Sequence, residues 1–190
     1  MSDTLQTFMP TYDHRVVHAI GIPAPPEDVW AQMLAVTLAE LPLPRLLMAI
    51  RTFPTRLRGG ESALTARSQP LAELFRADNR WITLAQEPGH ELVLGRVARF
   101  WQPVPTAPAN VRTAEDLTAF QESGFAKAVI SHEIIPEGTG SRLVTETRIQ
   151  GTDPRVRRLF AAYWWLIRPG VGLIRRSALN AVARRCDHSV

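Results

Sequence analysis

The chain has 190 residues, of which 45% are hydrophobic and 21% charged, and its formal net charge is +4. These values are typical of one globular domain that can bury a core or enclose a cavity, and they favour neither a disordered nor a membrane class of protein. The pI is near 10.2, but the arginines are scattered and Lys127 is the only lysine. We therefore do not expect nucleic-acid binding.

Cys186 is the single cysteine, which rules out an internal disulfide and a cysteine-based metal site. No segment reaches 18 consecutive apolar residues, and the first residues lack a basic stretch followed by an apolar one. We expect a cytoplasmic protein that is neither secreted nor membrane-spanning.

Residues 1–12 are predicted to be a flexible lead-in, followed by a strand over residues 14–22. The segment PAPPEDVW then carries prolines and carboxylates that suit a first helical turn. Trp30, Met33, Leu34 and Leu38 follow at helical spacing, and residues 45–51 predict a second short helix.

Three extended stretches are predicted next, over residues 71–77, 81–86 and 91–101. Glu87-Pro88-Gly89-His90 is a turn signal between the last two, so these strands should be antiparallel. An insertion over residues 102–124 is either a lid or an ornament, and it contains a capping-box pattern at Thr113 and Asp116.

Residues 125–135 and 141–150 predict a further hairpin. We prefer the register with Ile134 opposite Leu143, because a shift of one residue would mix apolar and charged side chains on both faces. This register turns His132, Thr145 and Thr147 inward. Glu146 and Arg148 are then expected to form an exposed structural pair on the opposite face.

The last element is predicted to begin with Asp153 as N-cap and Pro154 at the first helical position. Its apolar residues share one broad aromatic face, and Pro169-Gly170 should kink or briefly interrupt it. Five arginines are expected mostly on the outer side: Arg168, Arg175, Arg176, Arg184 and Arg185.

This order of elements predicts an α+β fold in which a curved antiparallel sheet wraps around the long C-terminal helix, with two short helices after the first strand. The segment IPAPPEDVW and the run SRLVTETRIQGTDPRVRRLFAAYWWLIRPGVGLIRR resemble the SRPBCC or START-like superfamily, including its polyketide cyclase-like members, and within it a bacterial branch. The resemblance covers roughly residues 14–185. It implies the helix-grip fold and an apolar internal cavity, and it carries over no catalytic residue. We expect a single domain over residues 13–186 and a tail over 187–190.

Several residues are candidates for lining that cavity. His14 and His18 share the inward face of their strand, and His18 is either an inward polar group or a core histidine satisfied by a backbone carbonyl or water. Tyr163 and Trp164 either stack on a ligand or belong to an ordinary core. The complete set of candidate ligand-binding residues is His18, Trp30, His132, Thr145, Thr147, Phe160, Tyr163, Trp164 and Ile167.

The leading hypothesis is a noncatalytic protein that binds a hydrophobic or amphipathic small molecule, such as a lipid, isoprenoid or polyketide, between sheet and helix. The alternative is a cyclase or dehydratase that uses His18, His132 or Tyr163 as general acid or base. A third interpretation makes the arginine-rich outer helix face a docking surface for an acidic partner or a membrane. We expect no cofactor and no metal, and the pattern leaves the oligomeric state open.

Overall fold

The computed structural model describes residues 3–37, 40, 81–102 and 105–187. In these ranges the helices and strands follow in the order α1 (Asp3–Phe8), β1 (His14–Ile22), α2 (Pro26–Ala35), β2 (Ile82–Glu87), β3 (Glu91–Ala98), α3 (Ala114–Ala119), β4 (Ala126–Glu137), β5 (Gly140–Gly151) and α4 (Pro154–Asp187). The predicted helix over residues 45–51, the strand over 71–77, and Leu38 lie outside the described residues.

The described strands form one antiparallel sheet in the order β1-β5-β4-β3-β2. Ile134 pairs with Leu143, which confirms the predicted register of the β4-β5 hairpin. The predicted turn between β2 and β3 is also confirmed, and Gly89 has a φ of 79° there, a conformation that favours glycine.

Helix α4 begins as predicted. Asp153 Oδ1 accepts hydrogen bonds from the backbone N–H groups of Arg155 and Val156, at 2.8 and 2.9 Å. This N-cap satisfies two of the donors that a helix leaves unpaired at its start. The helix then continues through Pro169 to Asp187, so the predicted interruption is absent. Residues of the helix pack in apolar clusters on both sides of the proline.

Helix α4 lies across one face of the sheet, which we call the inner face, and the chain therefore has an α+β helix-grip fold. Its first half packs in an aromatic cluster, and its C-terminal half packs in an aliphatic cluster together with α2. The aromatic cluster comprises Trp81, Phe100, Trp101, Phe160, Tyr163, Trp164 and Ile167. The aliphatic cluster comprises Ile22, Val29, Ile134, Leu143, Leu179 and Val182.

The opposite, outer face of the sheet is covered by α1 and by the insertion. Where the sequence predicted a flexible lead-in, residues 3–8 form a helix, and Leu5 and Met9 are buried. The insertion also packs here, because Leu117 of α3 is fully buried against β3. A Cβ added at Gly95 would lie 2.5 Å from Leu117 Cδ1 and 2.8 Å from Leu84 Cδ1, so any other residue would displace these side chains. The insertion thus covers the face opposite α4.

The prediction that Glu146 and Arg148 form an exposed pair on the outer face is wrong. Glu146 and Arg148 do pair, at 2.7 Å, but both are buried, with exposed fractions of 4% and 1%. Arg15 adds two hydrogen bonds to the Glu146 carboxylate, at 2.8 and 2.9 Å. Arg148 also donates to Gln6 Oε1 and to the Met9 carbonyl oxygen. The pair is buried because α1 and the residues after it lie over it.

Candidate functional site

A band of polar side chains crosses the inner face between the two apolar clusters. Backbone pairing sets His18 of β1 opposite Thr145 of β5, and Thr145 opposite His132 of β4. Thr147 lies on the same face because side chains alternate along a strand. Arg175 of α4 completes the band, since its Nη2 donates a hydrogen bond to Thr147 Oγ1 at 3.1 Å. We call these five residues the polar belt.

Much of the hydrogen-bonding capacity of the polar belt is unused. His18 Nδ1, His132 Nδ1 and Thr145 Oγ1 are buried, and none has a hydrogen-bond partner in the part of the chain that the structure describes. Buried side-chain nitrogen and oxygen atoms are normally paired, and leaving one unpaired costs about 1–3 kcal/mol. Three such atoms on one row of the sheet therefore mark a place where a polar group would be stabilised.

The belt carries a single positive charge. Burial, and secondarily Arg175, lowers the pKa of His132 to about 3. Burial also lowers the pKa of His18, with smaller contributions from Arg176 and Arg175. Both imidazoles are neutral at neutral pH. Burial lowers the pKa of Arg175 to about 10, which still leaves its guanidinium protonated.

Arg175 is the belt residue that sequence analysis missed, because all five arginines of this helix region were expected mostly on the outer side. The structure turns Arg175 inward. The sequence does contain a signal for the inward orientation of Arg175. Val171, Arg175, Ala178 and Val182 follow at spacings of four, three and four residues, which is the spacing of one helix face. An arginine inside an apolar stripe thus indicates a guanidinium that faces the sheet.

The predicted aromatic residues lie together at one end of the belt. Phe160 and Trp164 are buried and stacked, with ring centroids 6.0 Å apart. The rings of Tyr163 and Phe160 form a T-shaped pair with centroids 5.6 Å apart, and Ile167 packs against the same cluster. His14 joins it from β1, 5.6 Å from Phe160 between ring centroids. These residues provide an apolar, aromatic wall next to the polar belt.

Trp30 is the predicted site residue that lies apart from the others. It is on α2 and packs against the aliphatic cluster, at the opposite end of the belt from the aromatic cluster. The enzyme alternative uses His18, His132 or Tyr163 as general acid or base, and the two histidines are on strands separated by β5. Tyr163 is in the aromatic cluster. No observation favours the cyclase alternative.

A depression of about 290 Å³ lies elsewhere, between the start of β2 and the insertion. Trp81, Ile82, Val111 and Arg112 border it, and no residue of the polar belt does. We assign the candidate site to the polar belt because three buried polar atoms without partners among the described residues lie together there. Among the described residues, no group of three His, Cys, Asp or Glu side chains could hold a metal ion. No helix in the described ranges is long and apolar enough to cross a membrane.

Comparisons with known proteins find only distant likenesses. The sequence matches no family model, and no curated protein matches it significantly. Among solved structures, TTHA0849 from Thermus thermophilus is 17% identical, with a TM-score of 0.34, over 93% of this chain and 99% of that one. CalU16 from Micromonospora echinospora is 12% identical, with a TM-score of 0.27, over 92% and 84%. Ara h 8.0201 is 9% identical, with a TM-score of 0.26, over 89% and 97%. Likenesses this weak carry no argument, and the fold rests on the chain's own topology.

Proposed function

We propose that this protein binds a hydrophobic or amphipathic small molecule, such as a lipid, isoprenoid or polyketide, between the inner face of the sheet and α4. The observation that carries the proposal is the polar belt, in which three buried side-chain atoms lack hydrogen-bond partners among the described residues. Binding sites for small molecules are mostly apolar and contain a few polar groups that orient the ligand. The belt and the apolar cluster on either side of it have this composition.

The aromatic cluster supports the hydrophobic part of the proposal. Tyr163 and Ile167 are only partly buried at its edge, whereas Phe160 and Trp164 are almost fully buried. The edge of the cluster can therefore contact an apolar ligand without any change in the core. Flat aromatic side chains favour contact with rings or extended hydrocarbon chains.

The first test is binding of Nile red, a neutral hydrophobic dye, to the purified protein, together with native mass spectrometry. We expect enhanced dye fluorescence at a one-to-one ratio, or a co-purifying small molecule that reduces dye binding and appears as added mass. A protein that carries no added mass and leaves the dye fluorescence unchanged would contradict the proposal.

A pair of variants locates the site. Ala178 is partly buried against the aliphatic cluster one turn after Arg175, on the same helix face, and the bulk of Ala178→Trp between α4 and the sheet should abolish dye binding. Ala162→Trp makes the same change at an exposed position of α4 and should bind the dye like the wild type. Circular dichroism of both variants checks folding. Equal dye binding by the two folded variants would place the site elsewhere.

We also propose that the outer side of α4 contacts an anionic membrane surface. Trp165 and Leu166 are 81% and 70% exposed, and Leu159 and Leu173 are exposed on the same helix. Residues 154–186 include eight arginines and no carboxylate, and of these arginines Arg175 faces the sheet and Arg185 pairs with Glu40. Exposed aromatic and aliphatic side chains on a cationic helix are typical of helices that lie in a membrane interface.

A further inference from the structure

The guanidinium of Arg175 has no counter-ion in the described ranges. Its one hydrogen bond there goes to the neutral hydroxyl of Thr147. Nearby carboxylates would raise the pKa of an arginine, yet burial alone accounts for the shift of Arg175. A partly buried positive charge without a paired anion is costly, and natural proteins normally pair such charges.

The other belt groups add neutral hydrogen-bonding capacity around this charge. Thr145 lies between His18 and His132 in the backbone pairing, and each of the three has an unpaired buried atom in the described part of the chain. A hydroxyl can donate to an anionic oxygen, and a neutral imidazole can donate through one of its nitrogens. Together with the N–H groups of Arg175 that do not bond to Thr147, the belt can therefore surround a small anionic group.

We propose that the polar end of the bound molecule is a carboxylate, held by Arg175 and flanked by Thr145 and the two belt histidines. This inference rests on the proposed function and adds the chemical class of the ligand. The ligand is thus an amphipathic monocarboxylate with its hydrocarbon part against the aromatic or the aliphatic cluster. Its charge replaces the counter-ion that the described residues do not give Arg175.

A monoanion fits better than other head groups. A phosphate monoester at neutral pH carries about 1.5 to 2 negative charges, and the belt offers one cation because both histidines are neutral. A carboxylate matches the planar fork of a guanidinium in both charge and geometry. An ammonium head group would lie next to Arg175 and be repelled, and a neutral alcohol would leave the charge unpaired.

The test compares matched ligands on the wild-type protein. Decanoate and decylammonium below their micellar concentrations, and decan-1-ol below its solubility limit, compete with bound Nile red in fluorescence titrations at pH 7.5. Because hydrogen bonds between charged groups are about twice as strong as neutral ones, we expect decanoate to bind at least about tenfold tighter than the alcohol, and the ammonium to bind weakest. Equal binding of acid and alcohol, as a belt satisfied by ordered water would give, overturns the inference.

Two variants assign the preference to one residue. Arg175→Gln keeps a donor for Thr147 but removes the charge, and it should make decanoate and decan-1-ol equal competitors. Arg168→Gln removes the same charge from an exposed position of α4 and should keep the wild-type preference. Retention of the preference in Arg175→Gln would overturn the inference, and the wild-type comparison remains decisive if that variant does not fold.

The outcomes separate this inference from the proposed function. If Nile red binds and is displaced equally by all three competitors, the ligand site stands and the carboxylate assignment fails. If the dye does not bind and no molecule co-purifies, both proposals fail together.

Discussion

The neutral state of His132 makes a sharp prediction about stability and pH. Its Nδ1 is buried, and the side chain is flanked by Leu92 and Thr145 on the neighbouring strands. Burial, and then the charge of Arg175, lowers the pKa of His132 from 6.5 to about 3 in the folded state. In the unfolded chain the imidazole keeps its ordinary pKa. Lowering the pH from 7 to 5 therefore protonates the unfolded state and leaves the folded state neutral.

The sign and size of the effect follow from this difference in bound protons. Between pH 6.5 and pH 3 the unfolded state holds one proton more at this position, so the free energy of unfolding falls as the pH falls. The full stabilisation is present above pH 6.5. Each pH unit below 6.5 lowers the free energy of unfolding by at most about 1.4 kcal/mol. Because part of the side chain reaches solvent, we expect the free energy of unfolding to fall by about 1–2 kcal/mol between pH 6.5 and pH 5.

Urea denaturation at several pH values between 7 and 5 measures this effect against His132→Asn, which does not titrate there. Over this interval the free energy of unfolding of the wild type should fall by about 1–2 kcal/mol more than that of His132→Asn. Parallel curves for wild type and His132→Asn would refute the argument that His132 is held neutral by its surroundings.

Three further predictions concern α1, the buried ion pair and the outer side of α4. Leu5→Ala should lower the free energy of unfolding by about 2–4 kcal/mol in urea titrations, whereas exposed Leu166→Ala should change it little. Glu146→Gln should cost about 3–5 kcal/mol in the same assay, because it leaves a buried arginine without its counter-charge; a loss below 1 kcal/mol would contradict this. Trp165→Ser should weaken sedimentation with phosphatidylglycerol vesicles at low salt, and no binding by the wild type would refute membrane contact.

Most of the inner side of the fold could be predicted because its pattern is local. The β4-β5 register depends on alternation within two adjacent strands, and the structure confirms the pairing of Ile134 with Leu143. The start of α4 depends on Asp153 and Pro154, which act on the first turn alone. Signals of this kind need no knowledge of distant parts of the chain.

The outer side could not be predicted in the same way, because its burial depends on segments far apart in sequence. Leu5, Phe8 and Met9 have helical spacing, but α1 has six residues, and a helix so short is not stable alone. Its stability comes from packing on the outer face of the sheet. The burial of Arg148 under α1 involves a hydrogen bond across 142 residues of sequence, to Gln6. Alternation along β5 alone predicts this position to be exposed.

The polar belt was partly predictable for a related reason. His132, Thr145 and Thr147 follow from strand alternation, whereas Arg175 depends on how α4 rotates over the sheet. That rotation is determined at both ends, by Phe160 and Trp164 in the aromatic cluster and by Leu179 and Val182 in the aliphatic cluster. The arginine is therefore fixed by apolar packing on either side of it.

This arrangement has a consequence for affinity. A flexible arginine loses side-chain entropy of about 1.5–2 kcal/mol when it is immobilised on a ligand. Arg175 is already partly buried and already bonded to Thr147, so much of that loss occurs on folding. A carboxylate would then meet a preorganised guanidinium, and preorganised groups bind with less entropic loss than mobile surface arginines. Substitutions that loosen either apolar cluster should therefore weaken acid binding even though they do not touch the belt.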